Sequence, residues 1–250
     1  MRRPFIAANW KMNKTVSEAV DFVQSFLPSI RDIHDAEIVI APSFTALFSV
    51  GAKLKGTNVR LSAQNVFYEE KGAFTGEVSL PMIKDAGCDY VIIGHSERRQ
   101  YFNETDETVN KRIKASVKNG MGVIFCIGET LSQRETGKTY EVLNTQIVNG
   151  LKDVNPGGFV VAYEPVWAIG TGKTATAEQA QEAHLYIRNK LRDLYGGTSD
   201  SIQILYGGSV TPENVDSLMA CPDVDGALVG GASLKPESFE RIVKFKRGIK

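Results

Sequence analysis

Short, nearly continuous apolar runs recur along the whole chain. They are Phe5–Trp10, Glu37–Ala41, Val59–Ala63, Tyr90–Ile93, Gly122–Ile127, Phe159–Tyr163, Ile202–Tyr206 and Gly226–Val229. Each spans four to six residues and is rich in Val, Ile and aromatic side chains. That is how strands buried on both faces read. Between the runs the apolar spacing switches to every third or fourth residue. Val16, Ala19, Val20, Val23, Phe26, Leu27 and Ile30 form one helix face, opened by a capping box of Thr15 and Glu18. Ala180, Ala183, Ile187, Leu191 and Leu194 form another, opened by Thr176 with Gln179 and closed near Gly196-Gly197. Val109, Ile113 and Val117 mark a further helix, and Leu143, Ile147 and Leu151 one more. Thr211-Pro212-Glu213 reads as a helix start, with cap, proline and acid in order.

Eight strand runs alternating with helices predict a closed parallel barrel. An open, doubly wound sheet is the competing architecture, but no GxGxxG follows the first run. No linker, low-complexity tract or sustained charge run divides the chain, so residues 1–250 are expected to form a single barrel domain. The one long irregular stretch, Gln64–Ser79, exceeds the usual loop length and points to a binding or interface role.

Charge narrows the function. Lys plus Arg number 29 and Asp plus Glu number 29, a balance that argues against binding nucleic acid. Three widely spaced cysteines, Cys88, Cys126 and Cys221, form no CxxC pair and fit a reducing compartment. The apolar run behind Met1-Arg2-Arg3 is too short for an export signal, and no stretch is long enough to span a membrane. A cytoplasmic protein is therefore expected.

In such a barrel the site forms at the C-terminal ends of the strands. Those ends carry Asn9, Trp10 and Lys11; Gly94, His95, Ser96 and Glu97; Cys126; Glu164 and Pro165; Gly207, Gly208 and Ser209; and Gly230 with Gly231. Glu164 follows an apolar run, where desolvation would strengthen it as a base, although a strand-end glutamate can equally serve a salt bridge. A neutral His95 could donate to a carbonyl oxygen gaining charge, or could simply be buried for packing. Lys11 could add a fixed positive charge, and carries weight only in that company. No two histidines among His34, His95 and His184 are spaced for a metal site.

Two glycine pairs, Gly207-Gly208 before Ser209 and Gly230-Gly231 before Ala232-Ser233, read as phosphate cradles because backbone N–H groups there can approach a dianion. The segment Pro165–Lys173 is too apolar to stand open in water without reason. It can close over a ligand, or pack permanently on a neighbour or partner chain.

These residues resemble the triosephosphate isomerase family from end to end. The matching blocks are Asn9–Asn13, Gly94–Arg99, Ala162–Gly172, Tyr206–Val210 and Gly230–Leu234. The resemblance implies a (β/α)8 TIM barrel of eight parallel strands with outer helices. It implies an isomerase that interconverts dihydroxyacetone phosphate and glyceraldehyde 3-phosphate through an enediolate, without a cofactor or metal. By resemblance, Glu164 is the base, His95 the electrophile, Lys11 the charge that offsets the enediolate, and Glu97 the support of both. Asn9 positions substrate; Gly170, Ser209, Gly230 and Gly231 hold its phosphate; residues 165–175 are the lid. The family is itself the standard illustration of a glutamate base paired with a neutral histidine, so that pairing comes with the resemblance and not from spacing. The resemblance also implies a homodimer, with the stretch 64–79 and its Thr75 reaching the partner subunit.

Other classes make different demands. A Schiff-base aldolase needs a lysine at a strand end where the sixth strand ends in Glu164. A non-enzymatic phosphate-binding module would not need Lys11, His95 and Glu164 together.

Overall fold

The computed structural model describes residues 2–168 and 175–246. Eight strands follow in order: β1 (Phe5–Asn9), β2 (Glu37–Ala41), β3 (Val59–Ala63), β4 (Tyr90–Ile93), β5 (Gly122–Ile127), β6 (Phe159–Tyr163), β7 (Ile204–Tyr206) and β8 (Gly226–Val229). Each pairs in parallel with the next, and β8 returns to β1 to close the barrel. Helices α1 (Val16–Ile30), α2 (Phe44–Leu54), α3 (Leu80–Asp85), α4 (Ser96–Tyr101) and α5 (Asp106–Lys118) belong to the first half. Helices α6 (Leu131–Glu135), α7 (Thr139–Gly150), α8 (Ala177–Tyr195), α9 (Val215–Met219) and α10 (Pro236–Val243) belong to the second.

Most strands read as continuous apolar runs because they feed two cores; β3 feeds the outer one alone, and Arg60 and Ser62 interrupt it. Phe5, Ala7, Val39, Ile92, Ile124, Val160, Leu205 and Leu228 fill the barrel interior. Their neighbours Ile6, Ala8, Ile38, Ile40, Val91, Val123 and Val161 pack outward beneath the helices. Where both faces are dry, a side-chain period of two leaves no polar position to interrupt the run.

The structure differs from the sequence expectation at several ends, each for a local reason. Strand β1 stops at Asn9 because Lys11 turns into the left-handed region, at φ +53°. Strand β7 begins at Ile204, not Ile202, because the Ile202 N–H closes the preceding 3-10 turn onto Ser199 O at 3.0 Å. Thr211 does start a helical turn, its Oγ1 accepting the Glu213 N–H at 3.3 Å, Asn214 Oδ1 accepting the Thr211 N–H at 2.8 Å and the Val215 N–H donating to Thr211 O at 3.1 Å, but regular helix α9 begins only at Val215. Leu194 lies outside the apolar stripe of α8 and is exposed. Helix α2 escapes the periodicity because Phe44 and Phe48 face outward beside its buried Ala46, Leu47 and Val50. Helices α3, α4 and α6 are five or six residues long, too short to show a period.

A buried charge network ties β7, β8 and β1 at the base of the barrel. Asp225 accepts from Arg188, Arg2 and the Ile204 N–H, while its own carbonyl accepts from the Phe5 N–H at 3.0 Å. Removing one partner strands the other charge, which costs about 3–5 kcal/mol. Asp225→Ala should therefore lower the unfolding free energy in urea by about that amount, with turnover of the folded fraction unchanged. A loss below about 1 kcal/mol would show that the network does not hold the closing seam.

Candidate active site

Period two carries functional groups to the mouth of the barrel. In β6, Val160 and Ala162 point inward, so Glu164 continues the same row just past the strand end. The same count leads from Ala7 to Asn9, from Cys126 to Gly128, from Leu205 to Gly207 and from Leu228 to Gly230. His95 arrives by another route. Ile92 faces inward, Gly94 takes φ +75°, and that turn re-aims the next side chain.

Lys11 is held in a conformation that a non-glycine residue adopts reluctantly, a strain of about 1–2 kcal/mol. Three bonds fix it there. The Lys11 N–H donates to Asn9 Oδ1 at 3.1 Å. Gln64 Nε2 donates to Lys11 O and to Ala41 O, each at 2.9 Å. The Lys11 Nζ meets Glu97 Oε1 at 2.6 Å. Sequence reasoning missed Gln64, whose only signal was its place at the start of the irregular stretch.

The centre of the site is a carboxylate almost out of reach of water, Glu164, at 2% exposure. Its Oε1 lies 2.8 Å from His95 Nε2, and its Oε2 accepts the Ser96 N–H at 2.9 Å. Burial pushes its pKa up, but the charge and hydrogen bond of His95, the Ser96 N–H and the charge of Lys11 outweigh this and hold it below the ordinary value. For His95, burial acts to lower the pKa, and the charge and hydrogen bond of Glu164 more than reverse that, so the net direction is upward. The ring nevertheless has one assigned proton. Nδ1 accepts the Glu97 N–H at 3.3 Å, capping the start of α4, which leaves Nε2 as the N–H. Should the carboxylate turn away, burial, Lys11 and the helix N-terminus favour the neutral ring, against the charge of Glu97 3.6 Å from Nδ1.

One cavity of about 240 Å³ is lined by Asn9, Lys11, His95 and Glu164 together with Ser209, Gly230 and Gly231. Glu97 does not line it and reaches the site through Lys11 and the His95 ring. Gly170 and most of the segment 165–175 lie outside the described residues. Two glycines are required by close approach. A Cβ on Gly128 would sit 1.7 Å from Glu164 O, and one on Gly207 would sit 2.9 Å from Glu164 Cγ. A Cβ on Gly230 would come within 3.5 Å of Lys11 Cε, whereas Gly231 faces open space. Among the described residues, no three His, Cys, Asp or Glu side chains group as metal ligands.

The start of the predicted lid is anchored by a residue the sequence reading missed. Glu129, fully buried, accepts from the Tyr163 hydroxyl at 3.1 Å and from Trp167 Nε1 at 2.9 Å. Arg134 pairs with the same carboxylate at 3.2 Å and stacks over the Trp167 ring at 4.7 Å. Its place after β5 was visible, but nothing in the spacing tied it to Trp167.

A sequence model described as Triosephosphate isomerase matches residues 4–246. A triosephosphate isomerase from Geobacter metallireducens is 60% identical over 250 aligned residues, covering 98% of this chain and 100% of the relative. That from Thermodesulfovibrio yellowstonii is 56% identical over 246 residues, with the same two shares. That from Moorella thermoacetica is 55% identical over 248 residues, covering 98% of this chain and 99% of the relative. With the sequence matched over nearly its whole length and the closed eight-strand barrel in place, the chain belongs to the triosephosphate isomerase family.

Proposed function

We infer that Glu164, His95 and Lys11 carry the family's reaction in this chain, the interconversion of dihydroxyacetone phosphate and glyceraldehyde 3-phosphate. The observation that carries this reading is the buried contact between Glu164 and His95 on a small cavity.

The division of labour follows from the geometry. The phosphate dianion sits against the backbone of Ser209, Gly230 and Gly231, where no Cβ stands in the way at the glycines. Asn9 shapes the floor and fixes the Lys11 N–H. Glu164 gives up a resting hydrogen bond and turns to the substrate carbon beside the carbonyl. It takes a proton from that carbon, and the C–H electron pair moves into the carbonyl to form the enediolate. The His95 Nε2–H donates to the oxygens that gain charge, while Lys11 offsets that charge. The hydroxyl proton on one enediolate oxygen moves to the other, with His95 Nε2–H giving its proton to one oxygen and regaining that of the other. The protonated Glu164 then returns its proton to the neighbouring carbon, the C=C pair forms the new C–H bond as a carbonyl forms at the first carbon, and the carboxylate is restored. Glu97 is a positioning residue that holds Lys11 and the His95 tautomer. Residues 165–175 form the lid, with the Glu129–Trp167 contact at its first hinge. Excluding water strengthens every electrostatic contact inside.

We place residues 1–250 in one functional unit, supported by the single closed barrel and the family match over 4–246. The odd number of widely spaced cysteines favours the cytoplasm, and no described helix is long and apolar enough to cross a membrane. The unit works as a homodimer. Met12, Phe48, Phe74, Met82, Tyr101 and Phe102 are exposed apolar side chains on the first four βα segments. The stretch 64–79 stands out beside them. Its base is braced by the Phe67 N–H to Val78 O bond of 2.8 Å and by Phe67 packed on Phe74, and Thr75 is exposed at its tip.

Glu164→Asp keeps the charge and withdraws it by about 1 Å, which should lower kcat at least about 100-fold. Affinity for a non-reacting substrate analogue, read by calorimetry, should change less than about threefold, since the phosphate contacts are untouched. A kcat within tenfold of the parent would remove Glu164 from the role of base. Thr75→Glu places a charge on the proposed contact. Sedimentation should then give a monomer, with kcat down by more than tenfold. A fully active Thr75→Glu monomer would detach that stretch from the site.

A further inference from the structure

We propose that Lys14 is a positioning residue for the phosphate site: its ammonium braces the 3-10 turn that follows β8 and so fixes the Gly230–Gly231 backbone. The inference rests on the reading that this backbone holds the substrate phosphate.

The turn spans Gly231–Leu234 and is a single short loop of chain. Its front is tied internally. The Ser233 N–H donates to Gly230 O at 2.8 Å, and Ser233 Oγ to Gly230 O at 2.7 Å and Val229 O at 3.0 Å. None of these bonds ties the turn to the neighbouring β1–α1 connection. Lys14 does. Its Nζ donates to Leu234 O at 2.9 Å, across 220 residues of sequence.

Two further observations separate this contact from an ordinary surface lysine. The ammonium lies 4.9 Å from the Phe22 ring centroid and 5.4 Å from that of Trp10, both buried rings packed edge to face. The rings hold the cation where Leu234 O can meet it. The backbone of Lys14 also sits at φ +71°, a conformation that glycine adopts freely and lysine does not. A side chain that brings backbone strain with it is kept in place here by what its end group touches. Burial lowers the Lys14 pKa, and the charge of Glu18 works against that.

The consequence is a short rigid bridge. The β1–α1 connection carries Lys11 to the reacting carbons and Lys14 to the phosphate turn, with Asn13 Nδ2 bonded to Trp10 O at 2.7 Å between them. Both left-handed lysines therefore lie in one four-residue segment. The distance between proton transfer and phosphate binding is set by that segment and not by the strands alone.

The test uses the whole enzyme and inorganic phosphate as probe. In the parent, phosphate should shift the backbone amide NMR signals of Gly230 and Gly231. If they do not move, the phosphate reading itself fails, whatever Lys14 does. Lys14→Met keeps the stem over the rings and removes the donor. Its phosphate Kd should rise about fivefold, with KM following and kcat changing less than KM. Lys14→Gly relieves the left-handed strain, so it should weaken phosphate to a similar degree while unfolding at the parent's urea midpoint or above it. That combination is one a merely structural role would not produce. Lys14→Arg restores a donor to Leu234 O and should bring the Kd back to within twofold of the parent. An unchanged Kd in Lys14→Met, or a Lys14→Arg protein as weak as Lys14→Met, would overturn the proposal.

Discussion

The rest of the structure depends on how one buried carboxylate keeps its charge. Glu164 sits at the end of an apolar strand with almost no access to water, where an unpaired carboxylate would take up a proton. It avoids this through the Ser96 N–H and His95, two neighbours delivered by the same short segment after β4. Gly94 makes that delivery possible by breaking the inward row, and Gly128 and Gly207 keep their side-chain volume out of Glu164's way. The barrel is thus a device for aiming several strand ends at one point while leaving that point dry.

The surroundings divide into groups that act on substrate and groups that act on other groups. Asn9, Gln64 and Glu97 all converge on Lys11, one on its N–H, one on its carbonyl and one on its amine. Glu129 does the same for Trp167. Strain is concentrated where these supports are densest, in the β1–α1 connection, and the supports are what let a left-handed lysine persist there. Positioning of this kind matters because a misplacement of about 1 Å at the reacting carbon is worth about two orders of magnitude in rate.

Much of this was legible before any coordinates. Strand runs such as Phe159–Tyr163 and Gly122–Ile127 stand out because both faces are buried, and their ends named Glu164 and Cys126 directly. Capping boxes at Thr15 and Thr176 gave two helix starts to the residue. What stayed hidden was anything decided by contact across the sequence. Gln64 reaches Lys11 across 53 positions, and Trp167 reaches Glu129 across 38. Thr211 was legible as a cap, since its Oγ1 accepts the Glu213 N–H, although the regular helix begins only at Val215. Resemblance, not pattern, supplied the roles of Glu97 and Ser209, and it set Gly170 in a stretch outside the described residues.

The free enzyme stores its base as a buried anion stabilised by His95 and the Ser96 N–H. Carboxyl carbon NMR of Glu164 across pH tests it directly. The account predicts a titration midpoint below the ordinary glutamate value of 4.5, moving upward in His95→Asn, where the ring's contribution is gone and burial weighs more. A midpoint above 4.5 in the parent enzyme, unmoved by His95→Asn, would contradict it.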